Sequence, residues 1–417
     1  MKIVVLGGSS AGTPALFRCL GASVTLPPLE FWLVGRCGEH LDSVRRASLI
    51  LLGDAPVALR SSSFAAHDLA VALSGADLVL VQVRFGGYEG RHFDETFPLP
   101  LGICGDEGLG PGGLSAAWRA WPAMRSLLAE VESICPHALV LMLSSPLGIF
   151  VGAARRTFPS LRILGICELP WTTLQKLAAL LEINIFEVEF DYIGLNHLGW
   201  FYSIEMGTRN LLTEYKDHPC SRSMWPSSEL VAACGGFPTR YLRLHYDRQQ
   251  VLAEQQQTQL SRAVALKSIS LESYRTFQSG DKEAISAALD RRPTPWYDHA
   301  VVPFLEACAE NSRRIPFFLT GCDQPSDAFE AEDLAETPAW FDRGRIQPKP
   351  RRKPVPDSIV EVLRLFVAYE RQAICAVVSG DFDRLRQALN IHPWVPTPEI
   401  AAALVKQVTG QTPIAAA

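Results

Sequence analysis

The sequence predicts an α/β chain, with a doubly wound parallel sheet over residues 1–170 and a mixed α+β domain over 171–417. Three observations carry this. At 417 residues the chain fits two domains, taking roughly 100–200 residues for each. Short apolar β-type runs alternate with amphipathic stretches through the first half, the pattern of strands covered by helices on both faces. With 48% hydrophobic and 20% charged residues, the chain can bury a sizeable core and is not disordered by composition.

Taken in order, Lys2–Leu6 is the first strand, and it runs into the turn Gly7-Gly8-Ser9-Ser10-Ala11-Gly12. A helix opens at Thr13-Pro14, because proline is tolerated just inside a helix start. Further strands fall at 30–34, 78–83, 138–143 and 161–166, with helical stretches at 46–52 and 114–132. Beyond 166 the pattern changes. Strands are expected within 183–193, helix over most of 229–265, and a helical pair over 359–389 broken at Ser379-Gly380-Asp381. The basic, proline-rich stretch 347–356 reads as a solvated loop.

The charge balance excludes some functions. Lys+Arg 39 against Asp+Glu 44 gives a net charge of −5, and a polyanion binder needs a basic surface, so no nucleic-acid partner is expected. No apolar run reaches the roughly 18–20 residues of a membrane helix. Residues 1–6 read as a strand and not as a signal peptide. Ten cysteines without regular spacing argue against a zinc ribbon or a disulfide framework. The expected place is the cytoplasm.

Open parallel sheets bind ligands at the carboxyl ends of their strands. The turn Gly7, Gly8, Ser9, Ser10 follows the first strand, where backbone N–H groups and a helix dipole can hold a pyrophosphate. By itself the string is a loose dinucleotide motif, since Ser9 stands where a glycine is usual. The second strand ends Val34-Gly35-Arg36, without the acid that normally bonds the ribose. Arg36 would suit a 2′-phosphate. It could equally stack on adenine or face solvent, so NADP stays open beside NAD.

Cys167 follows a strand at the end where ligands collect, and His197 lies in Gly194-Leu195-Asn196-His197. Singly, each is the kind of residue that packs a core. Jointly they carry more. Cys167-Glu168-Leu169-Pro170 and Asp191-Tyr192-Ile193-Gly194-Leu195-Asn196-His197-Leu198 resemble the NAD-dependent family 4 glycoside hydrolases. Gly7-Gly8-Ser9-Ser10 with Thr13-Pro14, Arg84-Phe85-Gly86-Gly87 with Arg91, and Gly110-Pro111-Gly112-Gly113-Leu114 extend the resemblance. So do Tyr241-Leu242-Arg243, Arg292 with Tyr297, Tyr369-Glu370-Arg371 and His392-Pro393. It is dense over 1–200, patchy over 225–300, lost over about 310–355 and regained near the C-terminus.

The resemblance implies a Rossmann-like first domain in a lactate/malate dehydrogenase-like whole. It implies a glycosidase that departs from the usual pair of carboxylates. Such enzymes oxidise the sugar C3 hydroxyl with NAD, remove the C2 proton, eliminate the C1 substituent, add water and reduce C3 again. A C2 proton beside a ketone is acidic enough to leave, and a divalent cation on the sugar oxygens favours its loss.

Carried across, Cys167 and His197 become metal ligands, which suits Mn²⁺ or another first-row divalent metal. Tyr241 becomes the base, which needs a nearby cation to favour its phenolate. Glu168 becomes an acid for the departing oxygen, as in members that cleave α-linkages. The turn residues Gly7, Gly8, Ser9 and Ser10, with Arg36 and Arg84, fall to the cofactor. Arg91, Ser145, Asn196 and Arg292 fall to the substrate. Relatives commonly form dimers or tetramers, so a homo-oligomer is expected.

Three departures touch the substrate side: Ser145-Pro146 for Asn-Pro, Arg292-Pro293-Thr294 for Arg-Gly-Gly, and Thr320-Gly321-Cys322-Asp323-Gln324 for an Asn-rich loop. These put 6-phosphate recognition in question and leave the cofactor, metal and base positions intact. Two rivals remain at this point: an NAD(P)-dependent sugar dehydrogenase or epimerase without elimination, and a non-catalytic dinucleotide-binding sensor.

Overall fold

A computed structural model describes all residues except 24–25, 37, 259, 311, 323–328, 343–344 and 412–417. The chain opens with β1 (Lys2–Leu6), α1 (Thr13–Ala22), β2 (Leu29–Gly35), α2 (Glu39–Leu52), β3 (Val57–Ser63), α3 (Ala66–Leu73) and β4 (Leu78–Val81). It continues with α4 (Gly87–Thr96), α5 (Pro111–Ile134), β5 (Leu139–Met142), α6 (Leu147–Thr157), β6 (Arg162–Cys167) and α7 (Leu169–Leu180). Strands β1 to β6 pair in parallel in the order β3-β2-β1-β4-β5-β6. This is the dinucleotide-binding topology, with its switch point between β1 and β4.

Alternation along the central strands explains why both faces must be covered. Val4, Leu6, Val79, Val81, Val140 and Met142 bury into one core. Their neighbours Ile3, Val5, Leu78, Leu80, Leu139 and Leu141 bury into the other. A strand places successive side chains on opposite faces, so apolar residues at every position demand helices on both sides.

The second half begins with a hairpin, β7 (Glu189–Leu195) and β8 (Leu198–Met206), to which β9 (Arg209–Asn210) and β10 (Phe237–Pro238) add. Residues 185–187, inside the stretch expected to be strand, form a 3-10 turn instead. Helices then fill most of 228–310. Next come β11 (Ser312–Thr320), β12 (Glu336–Asp342) and β13 (Arg345–Pro348). These three join the first sheet, β11 pairing antiparallel with β6, so the complete sheet is nine-stranded and mixed.

The helical pair near the C-terminus is Asp357–Ser379 and Phe382–Asn390, joined through Gly380 at φ 66°. The basic stretch 347–356 is solvated in part, with Gln347, Pro350 and residues 352–354 exposed, but it is anchored. Lys349 is buried and donates to the carbonyl of Phe190, while Arg352 and Lys353 pair with Glu189, Asp191 and Glu205 of the hairpin. The acidic residues that receive it lie about 150 positions earlier in the chain, beyond the reach of a local charge count.

Candidate active site

The turn after β1 is fixed by close backbone packing. Gly7 sits at φ 95°, and its N–H and that of Gly8 both donate to the carbonyl of Val34. A Cβ at Gly8 would stand 2.8 Å from Leu33, and one at Gly35 would stand 2.7 Å from Ser9. The turn therefore lies tight against β2 and leads into α1, whose start carries Pro14 but no side-chain cap. The start of α1 is closed by the turn itself: the Thr13 N–H donates to the carbonyl of Ser10 and the Ala15 N–H to that of Gly12, while the helix dipole still favours an anion beyond this end.

Around the turn, the Tyr274 hydroxyl donates to the carbonyl of Ser9, and His40 stacks on the Tyr274 ring at 4.0 Å. Arg36 is exposed and close enough for its charge to act on Tyr274. The Thr294 methyl lies 3.1 Å from the position of a Cβ on Gly12. Arg292 lies on this side too, hydrogen-bonded to the Tyr88 hydroxyl and to Ser270.

A second group of side chains gathers where β6 ends beside the β7–β8 hairpin. Cys167 is the last residue of β6, and Glu168 heads α7 without capping it by its side chain. His197 forms the hairpin turn at φ 66°, a left-handed conformation that His tolerates better than most residues. Its ring stacks on Tyr241 with centroids 4.2 Å apart and planes 9° from parallel. Tyr241 lies in a short 3-10 turn whose preceding residue, Arg240, places its guanidinium 5.2 Å over the same ring.

The Asn196 amide donates to Glu336 at 2.9 Å, and the Cys167 thiol donates to the Glu168 carboxylate at 3.8 Å. Arg91 is buried and pairs with Glu95 at 2.7 Å and Glu107 at 2.9 Å. Arg84 also pairs with Glu107. The Ser145 hydroxyl donates to the carbonyl of Glu107 at 3.1 Å.

Electrostatics separates the roles these groups can play. Burial drives His197 down to about 4, helped by Arg240, so the imidazole is neutral. Burial, then Glu168 and Glu336, push the Cys167 thiol well above its ordinary range. Burial raises Glu168 as well, against the pull of Arg240. Tyr241 is raised by burial, with Arg240 the strongest pull in the other direction. Glu107 is the contrast: burial would raise it, but Arg84 and Arg91 outweigh that and hold it below the usual carboxylate range.

A neutral imidazole and a thiol are both donor types suited to a soft-to-borderline divalent metal. The Nδ1 atom of His197 is buried with no hydrogen-bond partner, an orphan that a cation would satisfy. A positive ion would also reverse the pressure that keeps the Cys167 proton on. Among the described residues no three His, Cys, Asp or Glu side chains are grouped to hold a metal. The protein thus offers a pair of donors, and further coordination would fall to oxygens from elsewhere. The pair fits a catalytic site better than a closed structural one.

Asn196, His197 and Tyr241 thus stand together at the hairpin turn, Cys167 and Glu168 lie bonded to each other at the end of β6, and Arg91 and Ser145 meet at Glu107. Arg292 makes its contacts nearer the glycine turn. Sequence reasoning missed Glu107, Arg240 and Glu336. The Arg beside the candidate base was visible in the sequence, whereas Glu107 and Glu336 acquire their positions only through distant pairing. Of the variant loop 320–324, Thr320 is buried, while Asp323 and Gln324 lie outside the described residues.

The dinucleotide-binding strand order, with a tight glycine turn after β1, defines a class: an α/β protein of the dinucleotide-binding type. Residues 2–183 match the family description "Family 4 glycosyl hydrolase" and residues 192–395 match "Family 4 glycosyl hydrolase C-terminal domain". The chain belongs to the family 4 glycosyl hydrolases. It is 24% identical over 432 residues to a probable 6-phospho-beta-glucosidase of Bacillus subtilis, covering 98% of this chain and 95% of that protein. It is 30% identical over 229 residues to 6-phospho-alpha-glucosidase 1 of Lacticaseibacillus paracasei, covering 54% of this chain and 51% of that one. In fold it is similar to the 6-phospho-beta glucosidase of Thermotoga maritima, solved with NAD and glucose-6-phosphate, at TM-score 0.87, 21% identity and 98% coverage of both chains. A further structure of that enzyme with manganese, NAD+ and glucose-6-phosphate aligns at TM-score 0.85, 22% identity and the same coverage.

Proposed function

We propose that this protein hydrolyses a small 6-phosphorylated glucoside, α-linked, by the oxidation–elimination route, using NAD and Mn²⁺ or a neighbouring first-row metal. The observation that carries the reading is the Tyr241 ring stacked on His197, in a chain whose two halves match the two family 4 descriptions. Cys167 and His197 would hold the cation, which when bound would supply Lewis acidity toward the C2 position, and NAD would supply the reversible hydride acceptor for C3.

The chain's own residues do the rest. Tyr241 takes the C2 proton, and Arg240 favours the phenolate that makes it a base. Glu168, whose hold on its proton is strengthened by burial, gives that proton to the departing C1 oxygen. This acid next to Cys167 is the ground for the α-linkage. Gly7, Gly8, Ser9 and Ser10 receive the cofactor pyrophosphate, with Arg36 at its ribose and Arg84 between cofactor and sugar. Arg91, Ser145 and Asn196 line the sugar side, and Arg292 stands farther out beside Tyr88. The protein is cytoplasmic and a homo-oligomer in this reading. It is consistent with free thiols at all nine described cysteines and, among the described residues, no helix able to cross a membrane.

The test is a panel of α- and β-glucosides, phosphorylated and not, with NAD+, Mn²⁺ and a thiol reductant in D₂O. Release of aglycone with deuterium at C2 of the sugar supports the route. Release without that label refutes it, and steady accumulation of NADH shows net oxidation instead.

A further inference from the structure

The two residues read as metal ligands belong to different sheets. Cys167 ends β6 of the nine-stranded sheet, and His197 tops the β7–β8 hairpin of the smaller one. Glu336 opens β12, which lies two strands beyond β6, and β12 packs against β7. Its carboxylate is 1% exposed and reaches across to the hairpin. One oxygen accepts from the Asn196 amide at 2.9 Å, and the other accepts from the Tyr192 hydroxyl at 2.6 Å. Asn196 immediately precedes His197 in the hairpin turn. The path of the phenol is built in, because a Cβ at Gly199 would collide with the Tyr192 hydroxyl.

We propose that Glu336 is a positioning residue of the metal centre: its carboxylate ties the hairpin that carries His197 to the sheet that carries Cys167, and so sets the spacing between thiol and imidazole. This rests on the reading of Cys167 and His197 as metal ligands. The bonds run to neutral donors on Tyr192 and Asn196, not to a cation. A carboxylate in such a place is costly to bury without partners, and these two hydrogen bonds hold it there. Outer-shell groups of this kind orient the ligands, and their loss typically weakens metal binding by roughly 10–100-fold.

The experiment measures Mn²⁺ binding to the full chain by electron paramagnetic resonance of the free ion, and NAD+ binding by calorimetry. Glu336→Gln can still accept from Asn196 and can donate to the Tyr192 oxygen, so it keeps both ties. Glu336→Leu keeps the bulk and loses both. Tyr192→Phe loses one and guards against a Leu variant that does not fold. The expected result is Mn²⁺ affinity lowered roughly 10–100-fold in Glu336→Leu and by a smaller factor in Tyr192→Phe. Glu336→Gln should stay within about threefold of the unmodified chain, and NAD+ affinity should be unchanged throughout.

Mn²⁺ affinity unchanged in Glu336→Leu, or in Tyr192→Phe if the Leu variant does not fold, overturns the proposal. So does a parallel loss of NAD+ affinity, which marks a merely structural role, or failure of Gln to rescue. Cys167→Ser separates the two levels. If it leaves Mn²⁺ binding intact, the ligand assignment itself fails; if it abolishes binding while Glu336→Leu does not change it, only the positioning role fails.

Discussion

Arg240→Gln removes the cation over the Tyr241 ring while keeping a polar side chain of similar reach. The guanidinium stands 5.2 Å from the ring centroid, and two unit charges at about that distance interact by about 3 kcal/mol at an effective dielectric of about 20. Arg240 is exposed, so solvent screening reduces this to about 1–1.5 kcal/mol, close to one pKa unit. The sign follows from the direction of the shifts. Burial already raises Tyr241, and Arg240 is the strongest pull downward. Without it the phenol titrates higher still, and a base acts only when deprotonated.

The rising limb of kcat/KM against pH should therefore move up by about one unit. Activity near neutrality should fall about tenfold and recover in alkaline buffer. The primary isotope effect with C2-deuterated substrate should grow, because proton removal becomes slower relative to the other steps. A loss of kcat/KM that is equal at every pH would mean that Arg240 only binds substrate. A limb that stays in place or moves down refutes the electrostatic argument.

Tyr241→Phe should lower kcat by roughly 10²–10⁴ and abolish C2 deuterium incorporation, with NAD+ affinity retained; label in residual product would assign the base elsewhere. Glu168→Gln should lose a similar factor on substrates with alkyl aglycones, but far less on nitrophenyl substrates, whose leaving groups depart without protonation. Equal losses on both would remove Glu168 as the acid. Chelation followed by Mn²⁺ addition should abolish and restore turnover, while activity that survives chelation would rule out the cation. Gly199→Ala should lower stability by about 1–3 kcal/mol through overpacking against Tyr192, read as a drop in Tm.

What the sequence disclosed depended on distance along the chain. β1, its glycine turn and α1 were legible because apolar alternation and turn chemistry are local, and the observed bounds of β1 and the start of α1 match the reading. β3 was not, because Arg60, Ser61 and Ser62 give it the polar texture of an edge strand. β11 to β13 were missed for a different reason. They complete the first sheet from the far end of the chain, and the boundary at residue 170 assigned them to another unit. Lys349–Lys353 looked solvated because their acidic partners sit on β7 and β8. In the proposed site, Cys167, His197 and Tyr241 could be singled out because the motifs around them resemble those of the family 4 glycoside hydrolases. Glu107 and Glu336 could not, since a glutamate becomes informative only when its partners are known.

Those partners bear on the substrate as well. Of the arginines around the cluster, Arg84 and Arg91 are held by Glu107, which the two pull below the usual carboxylate range. Their positive charge is therefore largely spent inside the protein, and a substrate anion would have to compete with a buried carboxylate to reach it. Arg240 is differently placed, exposed at the rim with its guanidinium over an aromatic ring. An anionic group on the sugar or aglycone that paired with Arg240 would weaken the pull on Tyr241, raising the base's pKa at the moment it is needed. A phosphate seated on Arg240 would thus oppose catalysis, whereas one seated away from it, on the side of Arg292 and Tyr88, would not. Single-turnover rates of phosphorylated and plain glucosides in the Arg292→Gln and Arg240→Gln chains separate the two. If the phosphate sits at Arg292, its advantage should vanish in the first and persist in the second, and the reverse pattern would sink this placement.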